Sequence, residues 1–300
     1  MPQRAKNTMR RRVQPDRTFR VEREARLLEY LIALFPEKSR TEVKSYLTHR
    51  QISVNGKTET AHDTPLRPGD ALTLHSVGAR RDSTKWKIRV VYEDKHLAVV
   101  EKRNGVLTMS TGKEGERTAY SYMMDHVRAQ GGRGARVFIV HRLDRETSGL
   151  LLFAKSEEVQ ARLQENWNDN IISRRYVAVL EGVPEPREGQ VVSWLTENPK
   201  SLKMTSSPVD DGGKKAVTNY KVLKDNGRYS LAEIELETGR KNQIRVQMAS
   251  IGHPVAGDKK YGAQTSPIGR VCLHARSISF VHPVTGERMD FDTGVPAAFK

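Results

Sequence analysis

The densest group of chemically active residues is the segment HRLDRETSG at His141–Gly149. Two arginines flank Asp144, and a Ser-Gly turn follows. Neighbouring guanidinium groups stabilise the charged form of a carboxylate, and an ionised aspartate at a strand end can act as nucleophile or base. The same pattern is also typical of a loop whose turn is held by ion pairs. The residue types alone leave both interpretations open.

A second group of candidates is the segment TGRKNQIRVQM at residues 238–248. We expect Gly239 to end a strand and Arg240 to open a helix, with Arg245 about one turn beyond Lys241. Ile244 and Met248 then share one helix face, as positions i and i+4 do. The simpler interpretation is a helix that packs on a sheet and keeps a solvated basic side.

Two shorter groups add candidates. Tyr176 follows two arginines in RRYVAVLEG and opens an alternating strand, where an aromatic ring either stacks on a nucleobase or belongs to the core. Lys102 precedes a glycine turn in the segment KRNGVL.

The elements that carry these groups predict an α+β catalytic part over 88–300, with a mostly antiparallel sheet and flanking helices. A helix capped by Ser156 and a short helix over 242–251 interrupt the strands. Residues 196–215 contain Pro, Lys, Ser and Gly-Gly and predict a mobile excursion. The predicted strands cover residues 88–92, 97–100, 136–140, 149–154, 176–180, 217–223, 229–237, 272–281 and 287–291.

A smaller ααβ unit is expected over residues 22–75. Apolar residues at helical spacing from Leu27 to Phe35 predict a first helix. Ser39 and Glu42 match a capping box for a second helix, and a short strand over 52–54 runs into an Asn-Gly turn. The strongly basic segment 1–21 predicts a disordered arm, and the polar segment 76–87 predicts a linker.

Composition narrows the class of protein. The 300 residues carry 51 Lys and Arg against 36 Asp and Glu, a net charge of +15, which points to a polyanionic partner. No apolar run approaches the ~20 residues of a membrane span. Cys272 is the only cysteine, which excludes an internal disulfide framework and a cysteine-rich zinc site and suits a reducing cytoplasm. We find no metal-ligand spacing and no glycine-rich nucleotide loop, and therefore expect no metal or cofactor. A monomer is expected.

Two parts of the sequence resemble known protein families, and each resemblance implies functions for these groups of residues. SRTEVKSYLTHRQISVNGK followed by LRPGDALTLH resembles the S4-like RNA-binding domain, which implies that Arg40, Lys44 and Arg50 lie along RNA phosphates. The order of the other motifs over residues 88–293 resembles the RluA-type pseudouridine synthases from end to end. The motifs that carry this resemblance are VYEDKHLAVVEKRNGVLTM, HRLDRETSGLLLFAKS, RRYVAVLEG, TGRKNQIRVQMASIGHPVAGDKKYG and LHARSISFVHPVTGERMDF.

The second resemblance implies a role for each matching residue. Asp144 corresponds to the aspartate that starts uridine isomerisation, Tyr176 to the tyrosine that stacks on the target uracil, and Arg245 to the cation that pairs with the carboxylate. Further residues are expected to contact RNA: Arg142, which would occupy the gap left by the flipped nucleotide, Ile244, which would wall the base pocket, and also His141 and Lys102.

The chain departs from the family pattern at three places. Lys241-Asn242 stands where members commonly have Thr-His, Gln247 where they have His, and Arg175 where they often have Lys. Arg175 preserves the charge. We expect the changes near Gln243 to alter RNA contacts, but they spare Arg245 and should not abolish activity.

The predicted function is therefore cofactor-free isomerisation of uridines in structured RNA by a cytoplasmic enzyme. Large-subunit ribosomal RNA is favoured, with tRNA as the other substrate. The alternative is a non-catalytic RNA-binding factor for ribosome assembly, which explains the charge but leaves Asp144, Tyr176 and Arg245 without a role. An RNA methyltransferase would need a nucleotide-binding glycine loop in a βαβ setting, which the sequence lacks.

Overall fold

The computed structural model describes residues 17–48, 51–75, 88–112, 116–132, 134–165 and 167–300. Contacts within the chain divide it into two units. The first runs to residue 81 and takes in residues 129–132, and the second comprises the rest of the chain. The predicted linker at 76–87 lies outside the described residues.

The first unit joins two helices to a small sheet of strand order β1-β6-β3-β4, with β2 paired to β5. The helices are α1 (Leu27–Leu34) and α2 (Arg40–Thr48). The strands are β1 (Arg17–Arg20), β2 (Ala25–Arg26), β3 (Ile52–Val54), β4 (Lys57–Thr58), β5 (Pro65–Leu66) and β6 (Ala71–Leu74).

Helix α2 begins with the predicted capping box. The backbone N–H of Glu42 donates to Ser39 Oγ at 3.2 Å, and the backbone N–H of Ser39 donates to Glu42 Oε2 at 3.2 Å. These bonds satisfy N–H groups that a helix start leaves without a partner. The helix then buries Val43 and Leu47 completely against α1. Its polar residues are left toward solvent.

The prediction of a disordered arm over 1–21 is wrong for its last residues, because Arg17–Arg20 forms β1 and pairs antiparallel with β6. Phe19 explains the difference: its ring meets Phe35 edge-on at 5.6 Å, and the Arg17 guanidinium lies 5.1 Å from the Phe19 ring. One aromatic anchor outweighs the basic composition here. Residues 1–16 lie outside the described part of the chain.

The second unit is built on one large sheet. Its path is β13-β12-β14-β15-β11-β16-β10-β8-β7, with β17 on β16 and β9 on β10. The strands are β7 (Ile88–Glu93), β8 (Leu97–Lys102), β9 (Phe138–Ile139), β10 (Ser148–Ala154), β11 (Ile171–Glu181), β12 (Glu188–Glu197), β13 (Met204–Ser207), β14 (Lys214–Asp225), β15 (Tyr229–Leu236), β16 (Leu273–Val281) and β17 (Arg288–Asp292).

Helices accompany this sheet, and most of its pairings are antiparallel, which confirms the predicted α+β class. β10 and β16 are the exception, since they run parallel. The helices are α3 (Ala119–Gly131), α4 (Glu157–Glu165), α5 (Trp167–Asn170) and α6 (Gln243–Ser250).

Strands β8 and β10 are buried on both faces. Ala98 and Val100 of β8 pack with Leu151 and Phe153 of β10 in one core. The alternate residues of the same two strands, Leu97, Val99, Leu150 and Leu152, pack in a second core. Because successive side chains of a strand point to opposite faces, the two strands lie between the two cores. They flank the segment that carries Asp144.

Two elements differ from the sequence expectations. The predicted excursion at 196–215 contains β13, which pairs with β12 and extends the sheet. Helix α3 was not predicted, although Thr118 and Ser121 exchange backbone-to-hydroxyl bonds of 3.0 Å at its start. Serine takes the place of the usual Glu or Gln of a capping box, which explains why the signal was missed.

Candidate active site

Asp144 lies in the loop between β9 and β10, and the buried ammonium of Lys102 holds the backbone of this loop. Lys102 Nζ donates to the carbonyl oxygens of Asp144 at 3.1 Å, Arg145 at 3.3 Å and Thr147 at 2.6 Å. It also contacts the carbonyls of Val106 at 2.9 Å and Arg103 at 3.3 Å. Burial lowers the pKa of Lys102 to about 7. The predicted RNA contact of Lys102 is wrong, because its side chain is fully buried.

The segment after Lys102 reinforces this hold on the loop. Thr108 Oγ1 accepts from the backbone N–H of Leu143 at 3.1 Å and donates to the Leu143 carbonyl at 2.8 Å. The backbone N–H of Gly105 donates to the Arg145 carbonyl at 2.8 Å. Residues 102–108 therefore hold the backbone of the loop that carries Asp144, a role that their basic composition did not reveal.

Gly149 fixes the other end of the loop. It lies opposite Lys102 of β8 and opposite Ala275 of β16, with φ at +118°. A Cβ at this position would lie 2.1 Å from the Ala275 carbonyl oxygen. Only glycine fits where β10 passes this close to a neighbouring backbone.

Arg245 reaches Asp144 from α6, but its closer partner is Asp258. Its Nε donates to Asp258 Oδ2 at 2.6 Å and its Nη2 to Asp258 Oδ1 at 2.8 Å, whereas its Nη1 lies 3.4 Å from Asp144 Oδ2. Burial acts to lower the pKa of Arg245, but the hydrogen bond and charge of Asp258 outweigh it and raise the pKa. Arg245 is thus a permanent cation. Asp258, in the GDKKYG turn, was missed as a site residue.

A second donor to Asp144 is Asn242, at the start of α6. Its Nδ2 lies 2.5 Å from Asp144 Oδ2, and its Oδ1 accepts from the Tyr261 hydroxyl at 3.0 Å. Asn242 has φ 53° and ψ 22°, a left-handed conformation that asparagine adopts more readily than most residues. This residue is one of the departures from the family pattern.

The predicted site residues line one pocket. Arg142, Asp144, Tyr176, Ile244 and Arg245 all contribute to its wall. Tyr176 is 8% exposed, and burial raises the pKa of its hydroxyl, so the ring stays a neutral phenol. The sheet and α6 therefore bring together the residues that the sequence placed in separate motifs.

A larger groove of about 590 Å³ also opens at Asp144. Arg142 and Arg145 line one part of it, and Lys241 and Lys260 line another. Although Glu146 also lines the groove, the cations outnumber the carboxylates there, which suits a polyanionic ligand. In the described part of the chain, no three His, Cys, Asp or Glu side chains meet in a metal-binding arrangement.

The other predicted RNA contacts differ in their surroundings. His141 Nε2 accepts from the backbone N–H of Leu152 at 3.1 Å, and burial lowers the pKa of this imidazole to about 3. It therefore supports β10 as a neutral ring, a role that the sequence did not anticipate. Arg142 is exposed. On α2, Arg40 is exposed and Lys44 half-buried, while Arg50 lies outside the described residues.

Gln247, another departure from the family pattern, is fully buried between α6 and the sheet. It accepts from Thr218 Oγ1 at 2.6 Å and donates to Ser193 Oγ at 2.8 Å and to the Ala216 carbonyl at 3.1 Å. The expectation that this change alters RNA contacts is wrong, because the side chain contacts only the sheet. Arg175 is solvent-facing and lies 3.9 Å from Glu235.

The chain is similar to known proteins over most of its length. A family model described as RNA pseudouridylate synthase matches residues 96–250. The chain is 31% identical over 293 residues to a ribosomal large subunit pseudouridine synthase D of Vibrio cholerae, covering 90% of this chain and 88% of that one. It is 36% identical over 221 residues to the protein of the same name from Zymomonas mobilis, covering 70% and 69%.

A solved structure shares the fold. Human RNA Pseudouridylate Synthase Domain Containing 4 aligns with a TM-score of 0.57 at 23% sequence identity, covering 70% of this chain and 90% of that one. Among the described residues, no helix has both the length and the apolar character that crossing a membrane requires.

Proposed function

The chain belongs to the RNA pseudouridylate synthase family, and from this premise we propose that Asp144 is its catalytic carboxylate. The protein is an RluA-type RNA pseudouridine synthase, an isomerase that acts on RNA, and the non-catalytic alternative is set aside. The observation that carries the proposal for Asp144 is its place in one pocket with Tyr176, Ile244 and Arg245.

The reaction breaks the bond between N1 of uracil and C1′ of ribose, turns the base and joins C5 to C1′. The C5 proton is lost and N1 gains one, so the product is an isomer. An ionised Asp144 can attack C1′, attack C6 of the base, or remove the 2′ proton. In each route a fixed cation beside the carboxylate stabilises charge at the reacting centre, and Arg245 supplies it.

The target base must leave the RNA stack to reach Asp144, at a cost of a few kcal/mol. Tyr176 and Ile244 form the wall on which the extruded uracil stacks, and stacking on an aromatic ring contributes about 1–3 kcal/mol. Arg142 is exposed beside the pocket and is placed to fill the vacated position in the stack.

We propose large-subunit ribosomal RNA as the substrate. Relatives that align over most of both chains are named ribosomal large subunit pseudouridine synthase D. The net charge of +15 suits a large polyanion. We also propose that residues 22–75 form an S4-like domain whose Arg40, Lys44 and Arg50 contact the same RNA.

The test is pseudouridine mapping of total RNA from cells that lack the gene. We expect specific sites to be lost and to return with the wild-type gene but not with Asp144→Asn, because an amide cannot serve as the nucleophile or base. Sites in tRNA rather than ribosomal RNA would revise the substrate and keep the catalytic assignment.

The control is a binding measurement on the purified Asp144→Asn protein, which should retain RNA affinity and its unfolding midpoint. Restoration of every site by Asp144→Asn would show that another group starts the reaction. No change in any site on deletion would contradict the proposed substrate.

A further inference from the structure

We propose that Asn242 is a positioning residue that holds Oδ2 of Asp144 and leaves Oδ1 as the oxygen that acts on uridine. This inference rests on the proposed role of Asp144. It concerns a residue at which the chain departs from its family pattern.

The contacts of the carboxylate are one-sided. Asn242 Nδ2 lies 2.5 Å from Asp144 Oδ2, and Arg245 Nη1 lies 3.4 Å from the same oxygen. Among the described residues, no donor contacts Oδ1. The amide is the closer of the two donors, because Asp258 engages the Nε and Nη2 of Arg245. Asn242 therefore sets the rotation of the carboxylate, and Arg245 supplies charge.

The orientation of the Asn242 amide follows from its neighbours. An ionised carboxylate only accepts hydrogen bonds, so the nitrogen of the amide faces Asp144 and the oxygen faces Tyr261. That oxygen needs a donor, and the Tyr261 hydroxyl provides it at 3.0 Å. The hydroxyl oxygen in turn accepts from the backbone N–H of Met204 at 3.3 Å. Each hydrogen bond in this series can therefore run in only one donor-to-acceptor direction.

The two side chains of this hydrogen-bond series, Asn242 and Tyr261, are also held in place by their surroundings. Asn242 is 8% exposed and Tyr261 is 6% exposed. The guanidinium of Arg245 lies 5.1 Å from the centre of the Tyr261 ring, and the ammonium groups of Lys203 and Lys260 lie 5.6 and 5.7 Å from it. Cations at such distances attract an aromatic ring. The ring of Tyr261 is thus held independently of its hydroxyl. A substitution that removes only the hydroxyl should therefore leave the ring in place.

The main test is Asn242→Gly, because glycine adopts the left-handed conformation without strain and removes only the side chain. The readout is tritium release from C5 in total RNA of the deletion strain labelled with [5-³H]uridine, with enzyme in excess over RNA. We expect the rate at saturating enzyme to fall roughly 10- to 100-fold, as loss of a hydrogen bond to a charged group implies. The half-saturating enzyme concentration should change less than about twofold.

The second variant is Tyr261→Phe, which keeps the ring and removes the donor to Asn242. We expect a smaller loss at saturation, roughly 3- to 10-fold, since the amide keeps its bond to Asp144 but is less firmly oriented. The double variant should be no slower than Asn242→Gly alone, because Tyr261 acts through the amide. Losses that multiply in the double variant would show that Tyr261 acts on another group.

The outcomes separate this inference from the proposed function. Release by wild type and none by Asp144→Asn supports the catalytic carboxylate whatever Asn242 does. The positioning role would be overturned if Asn242→Gly kept the wild-type rate at saturating enzyme, or if only its half-saturating enzyme concentration changed. Neither result would contradict the catalytic role of Asp144. If Asn242→Gly unfolds, Tyr261→Phe carries the test, and an unchanged saturating rate in that folded variant would overturn it equally.

Discussion

Two lysines near the candidate site have different roles, and the difference depends on whether the side chain is buried. Lys102 and Lys241 both lie in motifs that carry the candidate site, and the sequence predicted an RNA contact for Lys102. Lys102 is fully buried and donates only to backbone carbonyls, whereas Lys241 lines the groove at Asp144. Charge is visible in the sequence, but exposure depends on which strands pack over a residue.

The role of Lys102 leads to a prediction for Lys102→Met. Methionine fills a similar volume but leaves buried carbonyls without their donor, at about 1–3 kcal/mol for each unsatisfied group. Because at least three carbonyls lose their donor, we expect the free energy of unfolding to fall by about 3 kcal/mol or more and the saturating isomerisation rate to fall at least tenfold. Urea unfolding and tritium release measure the two effects.

Lys95→Met is the matched control, because Lys95 is exposed. It should leave both quantities within error of wild type. If Lys102→Met behaves like Lys95→Met, the buried ammonium does not hold the loop that carries Asp144.

The sequence predicted Asp144, Tyr176, Ile244 and Arg245 as site residues, and in the structure they line the same pocket. These residues were identified from the order of the motifs along the sequence, which resembles that of a known family. Asp258 could not be found in the same way, because its closest partner is an arginine 13 residues away that the sequence paired with Asp144 alone. Arg245 forms its shorter hydrogen bonds with Asp258 and not with Asp144. This choice depends on how α6 packs against the turn that follows it.

At the scale of elements, capping and alternation signals found most of the fold. Helix α4 begins after Ser156, whose Oγ accepts from the backbone N–H of Val159 at 3.2 Å as predicted. Strand β13 was missed because its residues, MTSS, carry almost no apolar pattern and are ordered by pairing with β12. Backbone pairing requires no apolar pattern, so it leaves little trace in the local sequence even when the partner is the preceding strand.

The close parallel pairing of β10 with β16 at Gly149 yields a prediction for Gly149→Ala. A Cβ would lie 2.1 Å from the Ala275 carbonyl oxygen, so the two strands must separate or the backbone must leave its conformation. We expect a loss of about 3 kcal/mol or more in the free energy of unfolding, because both strain and steric overlap oppose the native state. Denaturant unfolding measures it.

Gly286→Ala separates the two causes. Gly286 has φ +74°, and no atom lies within 4 Å of the position that an alanine Cβ would take, so only backbone strain, about 1–2 kcal/mol, remains. Equal losses in the two variants would mean that the close approach to Ala275 is not what requires glycine at position 149.

For the whole molecule, charge is the property that the sequence predicts best. A net charge of +15 implies that RNA binding releases many counterions and weakens steeply with salt. The described groove at Asp144 holds part of this charge and α2 another part. The sequence does not say how much of the affinity each part supplies.

Arg40→Gln with Lys44→Gln tests the contribution of α2. We expect the slope of log affinity against log salt concentration to become shallower by about 1–2, since each lost phosphate contact removes about 0.7–0.9. The tritium-release rate at saturating enzyme should stay at the wild-type level. Binding titrations at several salt concentrations measure the slope.

The control pair is Lys221→Gln with Arg288→Gln, which removes the same charge from cations that already pair with Glu188 and Asp290. An equal change of slope in the control would show that net charge, and not the position on α2, sets the salt dependence.

The burial of β8 and β10 on both faces has a consequence for the dynamics of catalysis. Amides in such strands exchange with solvent only when a unit unfolds as a whole, while edges of a sheet open locally at far lower cost. The loop of Asp144 begins beside β9, ends in β10 and is held by Lys102 at the end of β8. We therefore expect the carboxylate to lie on the part of the second unit that exchanges last, while edge strands such as β13 can fluctuate without disturbing it.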